Sequence, residues 1–259
     1  MPKFSANLTM LFNEVPFLDR FGAARKAGFK GVEYVSPYDC YPGDIADRLK
    51  ANRLNQVLFN LPVGDWSAGE RGIAIFEHRQ AEFRDGVERA IRYAKALDCA
   101  QVNCLAGIAP QGADPKVLRA TLVENLQFAA SALDSEGIRL LIEPINTRDM
   151  PGFYLNTTQQ ALDLIADAGS PNLFVQYDAY HMHIMEGDAL ATISRALGLI
   201  RHVQIADSPG RHEPGTGEID YPALLKHLDA LGYDGWVGAE YKPAAATADG
   251  LGWIAQLSG

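Results

Sequence analysis

Four polar side chains stand at or near the ends of apolar segments in the second half of the chain. Apolar runs lead directly into Glu143, Asp178 and Glu240, and another run contains Gln204. Carboxylates that meet in a partly dry pocket repel one another unless a cation lies between them. Oxygen donors without a thiolate favour Mg²⁺ or Mn²⁺ over zinc. The pattern therefore predicts a divalent metal site made of these four residues, with Asp207 as an alternative to Gln204.

Two glutamates beside such an ion could move a proton next to a carbonyl group. An ion that holds neighbouring hydroxyl and carbonyl oxygens polarises the carbonyl and stabilises the enediolate formed when a C–H proton leaves. Glu143 and Glu240 would remove and return that proton as general base and general acid. The predicted chemistry is isomerisation or epimerisation of a small hydroxy-carbonyl compound, without a redox cofactor.

Two other residues near these segments could contact a substrate. His181 follows Asp178 by three residues and could bind a substrate oxygen as a neutral donor or acceptor. Arg211 lies in the glycine-rich connection 207–220 and could clamp an anionic group with its planar guanidinium. The connection 60–80 is also long, and long connections in compact domains commonly form lids or binding loops. Trp66, in that second connection, could cap an apolar wall.

Strands and helices alternate along the whole chain, and they must position these residues. Eight strand–helix pairs without a Ser-, Pro- or Gly-rich linker predict parallel strands with right-handed crossovers. The expected fold is α/β, one (β/α)₈ TIM barrel over 1–259, in which side chains meet at the carboxyl ends of the strands. Strands are predicted at 4–8, 32–35, 56–59, 101–105, 139–142, 173–176, 200–205 and 236–239. Helices are predicted at 17–27, 44–51, 81–97, 115–135, 158–168, 189–197, 222–231 and 251–257.

Composition limits the partners. The chain has 23 Lys and Arg against 32 Asp and Glu, a net charge of -9, whereas nucleic-acid binding needs a basic surface. Its three cysteines, without a CxxC motif, predict buried reduced thiols rather than disulfides or a zinc site. Neither a signal peptide nor an apolar segment of membrane-spanning length is evident. We expect a cytoplasmic protein with no membrane or nucleic-acid partner, and a homo-oligomer stays open.

Several motifs resemble the hydroxypyruvate isomerase family of the xylose isomerase-like barrel superfamily. The resemblance spans nearly the whole chain. The motifs are FSANL at 4–8, NLPVGDWSAGERG at 60–72, LIEPIN at 141–146, QYDAYHM at 176–182, HVQIAD at 202–207, EPGTGEI at 213–219 and EYKP at 240–243.

The resemblance implies interconversion of hydroxypyruvate and 2-hydroxy-3-oxopropanoate. It assigns Glu143 and Glu240 as the acid–base pair and, with Asp178 and Gln204, as the metal ligands. His181 and Arg211 match substrate-contacting positions of the related ketose 3-epimerases, which carry histidine at the position of Gln204. The carboxylate of such a substrate needs a cation, for which Arg211 is the first candidate and Lys242 the second.

Alternative functions stay open within the same superfamily. A 2-oxo-tetronate isomerase shares the terminal motifs, and a ketose 3-epimerase would use the same proton transfer. An apurinic endonuclease would need more histidines at strand ends and a basic face. A non-catalytic sugar-binding barrel would not need two glutamates around a metal.

Overall fold

Eight parallel strands close into a barrel in chain order, with the first strand paired to both the second and the eighth. The computed structural model describes residues 3–257, so both ends of the expected 1–259 unit lie outside the described residues. The predicted (β/α)₈ architecture is confirmed. The strands are β1 Lys3–Asn7, β2 Gly31–Tyr34, β3 Asn55–Asn60, β4 Gln101–Cys104, β5 Arg139–Ile142, β6 Leu173–Asp178, β7 Ile200–Ile205 and β8 Trp236–Ala239.

The helices surround this barrel, and the predicted ones lie within two residues of the observed bounds. The helix that begins at Pro115 starts as expected, because the Asp114 side chain accepts from the backbone N–H of Lys116 and Pro115 follows at once. No described helix is both long and apolar enough to cross a bilayer. The helices are α1 Phe17–Lys26, α2 Pro42–Asn52, α3 Gln80–Leu97, α4 Pro115–Asp134, α5 Thr158–Ala168, α6 Ala179–Met185, α7 Ala189–Ala196, α8 Tyr221–Ala230 and α9 Gly252–Leu257.

The sequence prediction missed α6, which follows β6 without a connecting loop. The strand continues to Asp178, two residues beyond the predicted end, and the helix begins at the next residue. The Asp178 side chain caps this helix by accepting from the backbone N–H groups of Tyr180 and His181. No turn residue separates the two elements, so the sequence carries no boundary signal there. This direct junction places His181 one helical turn from Asp178.

A carboxylate that the sequence reasoning did not select, Glu33 of β2, lies fully buried inside the barrel. It accepts hydrogen bonds from Ser5 Oγ at 2.7 Å and Gln204 Nε2 at 2.7 Å, and its Oε2 is 2.8 Å from His202 Nε2. Burial alone would raise the pKa of Glu33, but His202 and the hydrogen bonds from Gln204 and Ser5 outweigh it and lower the pKa. The sequence signal that could have found Glu33 is a charged residue inside an apolar strand. A charge at such a position is expected to be buried and therefore to need partners.

Gly238 of β8 leaves the space that the Glu33 carboxylate occupies. A Cβ at position 238 would lie 2.4 Å from both carboxylate oxygens. We expect Gly238→Ala to lower the free energy of unfolding by about 1–3 kcal/mol, because overpacking would displace a paired buried charge. Urea denaturation measures the change. Gly198→Ala is the matched control, since a Cβ there meets nothing within 4 Å. Equal effects of the two substitutions would contradict this account.

Candidate active site

The carboxyl ends of β5, β6 and β8 bring Glu143, Asp178 and Glu240 together at one mouth of the barrel. Glu143 and Glu240 directly follow their strands, Asp178 ends its own, and all three are buried. Glu143 and Glu240 line a cavity of about 470 Å³ that also contacts His181 and Arg211. The structure therefore brings five of the six predicted site residues into one cluster.

Glu143 is compensated only in part by the groups around it. Its Oε2 accepts from Asn103 Nδ2 at 3.0 Å. Its Oε1 is 4.0 Å from the Nε2 atom of His181. Burial, followed by the charges of Glu240 and Asp178, raises the pKa of Glu143 well above its usual range. This oxygen environment suits a group that exchanges a proton.

Glu240 is held by donors on both oxygens. Asn7 Nδ2 donates to Oε1 at 3.0 Å, and the Arg211 guanidinium donates to Oε2 at 2.6 Å. Burial raises the pKa of Glu240 to about 7, because Asp178 and Glu33 add to the effect and Arg211 opposes it only in part. The same Asn7 amide lies 3.4 Å from Glu33 Oε1. Asn7 therefore connects the site to the buried Glu33 below it.

Arg211 lies among the carboxylates rather than at the entrance of the cavity. Its side chain is 14% exposed, and its guanidinium lies 3.6 Å from Asp178 Oδ2, besides its contact with Glu240. A buried guanidinium between two acids offsets their repulsion. Its sequence-based role as the partner of a substrate carboxylate stays a prediction.

The hydrogen-bond network assigns the protonation of the His181 ring. Asn146 Oδ1 accepts from the backbone N–H of Asp149 at 2.7 Å, which turns Asn146 Nδ2 toward His181 Nδ1 at 2.7 Å. Because the amide nitrogen can only donate, Nδ1 accepts and the neutral ring carries its hydrogen on Nε2. Burial lowers the pKa of His181 to about 4. His181 is thus a neutral donor whose Nε2 faces Asp178 and Glu143, and its role in substrate binding stays a prediction.

Gln204 and Asp207 lie in different environments. Gln204 pairs with Asp178 in the register of β6 and β7, its Oε1 accepts from Gln176 Nε2 at 2.6 Å, and its Nε2 donates to Glu33 at 2.7 Å. It therefore lies beside the cluster with its amide orientation fixed. Asp207 accepts from three backbone N–H groups of its own connection, at Ser208, Gly215 and Ile219.

The donor set fits a divalent cation. Asp178 Oδ2 is buried and accepts no hydrogen bond from any described residue, although His181 Nε2 is 3.5 Å away. Ligand atoms of Glu143, Asp178 and His181 all lie within 4.8 Å of one another. Of these three residues, the two carboxylates offer oxygen atoms as metal ligands. The Nε2 atom of His181 carries a hydrogen in the tautomer assigned above, so His181 acts as a hydrogen-bond donor and not as a ligand. Hard cations prefer such oxygen ligands.

We expect protein stripped of metal with EDTA to lose stability as pH rises from about 5 to about 7. The folded-state pKa values of Glu143 and Glu240 are raised, so the folded state binds more protons than the unfolded state and stability falls as pH rises. The slope should be about 1.4 kcal/mol per pH unit for each group between its unfolded-state and folded-state pKa, so the contribution of Glu240 ends near pH 7. His181 acts in the opposite direction only below about 6.5, because its folded pKa is lowered. Urea denaturation at four pH values measures the slope, and a flat or rising profile would contradict it.

Comparison with known proteins places this barrel in a family. The family model described as "Xylose isomerase-like TIM barrel" matches residues 21–257. The chain belongs to the xylose isomerase-like TIM barrel family. A crystal structure of a Brucella melitensis protein described as AP endonuclease, family 2, superposes on it with a TM-score of 0.97 at 49% identity, covering 99% of both chains. Membership in this family confirms the fold that the motifs implied.

Two curated relatives carry the names of different isomerases. Hydroxypyruvate isomerase of Escherichia coli K12 is 53% identical over 254 residues, covering 98% of each chain. The 2-oxo-tetronate isomerase of Cupriavidus necator is 48% identical over the same length and coverage. The resemblance drawn from the motifs is therefore confirmed. Both names describe relatives, and their nearly equal identities leave the choice of substrate to the site.

Proposed function

We propose that this protein is an isomerase of small sugar acids that interconverts hydroxypyruvate and 2-hydroxy-3-oxopropanoate. The observation that carries the proposal is the pair Glu143 and Glu240, which line one cavity from strands on different sides of the barrel mouth. Two proton-transfer groups around one substrate are what an aldose–ketose isomerisation requires. The similarity to hydroxypyruvate isomerase of E. coli supports the substrate.

Each residue of the cluster has a task in this reaction. Glu143, Asp178 and Glu240 would hold the divalent ion, Mg²⁺ or Mn²⁺, which supplies polarisation of the carbonyl when bound. Gln204, the fourth ligand predicted from the sequence, would have to release the hydrogen bond that its Oε1 accepts from Gln176 before it could join them. One of Glu143 and Glu240 would take the proton from the hydroxymethyl carbon, and a proton would return to the neighbouring carbon from the same pair. The pair would also carry the hydroxyl proton to the former carbonyl oxygen, which completes the isomerisation. The Nε2 hydrogen of His181 would bind a substrate oxygen and fix its position.

A second candidate substrate is 2-oxo-tetronate, which is one hydroxymethylene group longer. The cavity of about 470 Å³ is larger than a three-carbon acid needs, and the C. necator relative is 48% identical. The reacting carbons and the carboxylate are the same in both acids, so the cluster serves either one. The extra hydroxymethylene group of 2-oxo-tetronate would be accommodated, or excluded, by the part of the cavity outside the cluster of Glu143, Asp178 and Glu240.

A side-by-side assay tests the proposal. Purified protein with Mg²⁺ or Mn²⁺ is given hydroxypyruvate, a 2-oxo-tetronate and a ketohexose at equal concentrations. We expect the highest kcat/KM for hydroxypyruvate and the lowest for the ketohexose. Faster turnover of the four-carbon acid would favour the second candidate, and faster turnover of the ketohexose would overturn both. Deuterium exchange at the hydroxymethyl carbon of hydroxypyruvate separates catalysis from simple binding.

A further inference from the structure

The basic side chains that line the cavity differ in whether a carboxylate of the protein already neutralises their charge. Arg211 contacts Glu240 and Asp178, so its charge is used inside the cluster. Lys242 is exposed at the edge of the cavity. Arg71, in the connection between β3 and α3, also lines the cavity. No carboxylate of the described residues lies within ion-pair distance of Arg71.

Arg71 is held in place by contacts that leave part of its guanidinium available. Its Nη1 donates to the backbone carbonyls of Trp66 at 3.1 Å and Glu70 at 2.7 Å. Its Cζ lies 3.6 Å from the centroid of the Trp66 ring, a stacking contact. Within residues 3–257, neither Nε nor Nη2 has a hydrogen-bond partner. These two nitrogens form one edge of the planar fork, and such an edge binds a carboxylate with two parallel hydrogen bonds.

The neighbouring acid, Glu70, is kept away from Arg71. Its carboxylate accepts from the backbone N–H of Asp65 at 2.6 Å and forms an ion pair with Arg79. Arg79 in turn binds Glu82 on α3 at 2.7 Å. Glu70 therefore fastens the loop to the outer helix, and its charge is compensated there. The charge of Arg71 is left for the cavity.

The backbone beside Arg71 fixes where that charge lies. Gly72 has a φ of +105°, and a Cβ there would lie 2.1 Å from the carbonyl oxygen of Leu105. Its N–H donates to the carbonyl of Val63 at 2.9 Å. Only glycine fits this close approach without strain. The loop thus places the Arg71 fork in the same cavity as Glu143 and Glu240 with little freedom to move.

We propose that Arg71, stacked on Trp66, binds the carboxylate of the substrate, an inference that rests on the proposed function. Proton transfer occurs between the two carbons that carry the hydroxyl and the carbonyl, and these must lie beside Glu143 and Glu240. The carboxylate does not react, and Asp178 and the glutamates repel it. It needs a cation outside the acidic cluster with a free edge, and Arg71 has one. The ligand class is a 2-oxo carboxylate of three or four carbons.

The test compares a substrate that has the carboxylate with one that lacks it. In dihydroxyacetone a hydroxymethyl group replaces the carboxylate of hydroxypyruvate, while the reacting carbons are unchanged. For Arg71→Met we expect KM for hydroxypyruvate to rise about 10–100-fold with kcat changed little, because a charge-assisted contact is lost. The kcat/KM for dihydroxyacetone should stay within about threefold. Arg71→Lys should fall between, since lysine keeps the charge and loses the fork.

Controls separate this role from damage to the loop. Arg84→Met removes a positive charge from an outer helix, where Arg84 pairs with Glu124 at 3.3 Å. This variant should leave KM and kcat unchanged for both substrates. If Arg71→Met lowers kcat/KM equally for both substrates, or lowers it for neither, the proposal is overturned. A larger rise in KM for Lys242→Met or Arg211→Met than for Arg71→Met would also overturn it.

Calorimetry distinguishes this proposal from the proposed function. If the wild-type protein turns over neither compound, the isomerase assignment fails. Titration of hydroxypyruvate into Mg²⁺-loaded wild type and Arg71→Met still decides the carboxylate site. Weaker binding to Arg71→Met supports the site, and equal binding overturns it.

Discussion

Glu143→Gln is expected to lower kcat by about 10²–10⁴-fold, because an amide cannot take or return a proton. Glutamine keeps the size of the side chain, and its Oε1 can still accept from Asn103 Nδ2, which now lies 3.0 Å from Glu143 Oε2. The same substitution should raise the melting temperature of EDTA-treated protein. Burial and the charges of Glu240 and Asp178 raise the pKa of Glu143, so at neutral pH the folded state must either bind a proton at Glu143 or bury its charge, and glutamine avoids both costs.

The opposite signs of these two effects make the prediction specific. A residue needed only for folding would lower activity and melting temperature together. Glu88→Gln, on the exposed face of α3, is the matched control and should change neither quantity. Steady-state kinetics and differential scanning calorimetry on the same samples measure both effects. A Glu143→Gln protein that keeps more than about a tenth of the wild-type kcat would remove this residue from the proton transfer.

Removal of divalent metal is expected to lower activity by at least about 10²-fold, since several kcal/mol of charge stabilisation would be lost. Activity should return on addition of Mg²⁺ or Mn²⁺. The carboxylates repel one another, so a bound cation should also stabilise the fold. At a metal concentration of 100 times Kd, the free energy of unfolding should rise by about 2.7 kcal/mol. Activity after dialysis against EDTA, metal content and thermal unfolding with added metal measure these effects.

Substitutions at the cluster identify the site of that stabilisation. Asp178→Asn removes the charge of the carboxylate whose Oδ2 has no hydrogen-bond partner among residues 3–257, and should abolish most of the metal-dependent rise in melting temperature. Asp163→Asn, on the exposed face of α5, should retain the full rise. Full activity of protein that contains less than about a tenth of an equivalent of metal would contradict a metal-dependent reaction.

Much of the site follows from strand ends alone. In a parallel barrel every strand points its carboxyl end to the same mouth, so Glu143, Asp178 and Glu240 had to converge once eight strands were recognised. Their separation along the chain is irrelevant to that result. Gln204 was selected because an amide inside an apolar strand needs a partner, and the structure gives it Gln176 and Glu33.

Other members of the site were hidden because their importance depends on partners. Asn7, Asn103 and Asn146 are ordinary strand or loop residues in the sequence, yet each donates to a group of the cluster. The sequence offered Arg211 for a substrate anion, whereas its guanidinium lies against Glu240 and Asp178. The sequence did not single out Arg71. Only the structure shows that Glu70 pairs with Arg79, so that the charge of Arg71 has no carboxylate partner among the described residues.

The sequence by itself determined the elements, their parallel order and the mouth at which the acids meet. Apolar periodicity and strand–helix alternation are local properties, and barrel closure follows from their number. The tertiary structure decided which charges neutralise each other, which way the His181 and Gln204 side chains are oriented, and which cation stays available. Those outcomes depend on distances of a few ångströms between residues far apart in the chain, and electrostatic and hydrogen-bond energies change steeply over such distances.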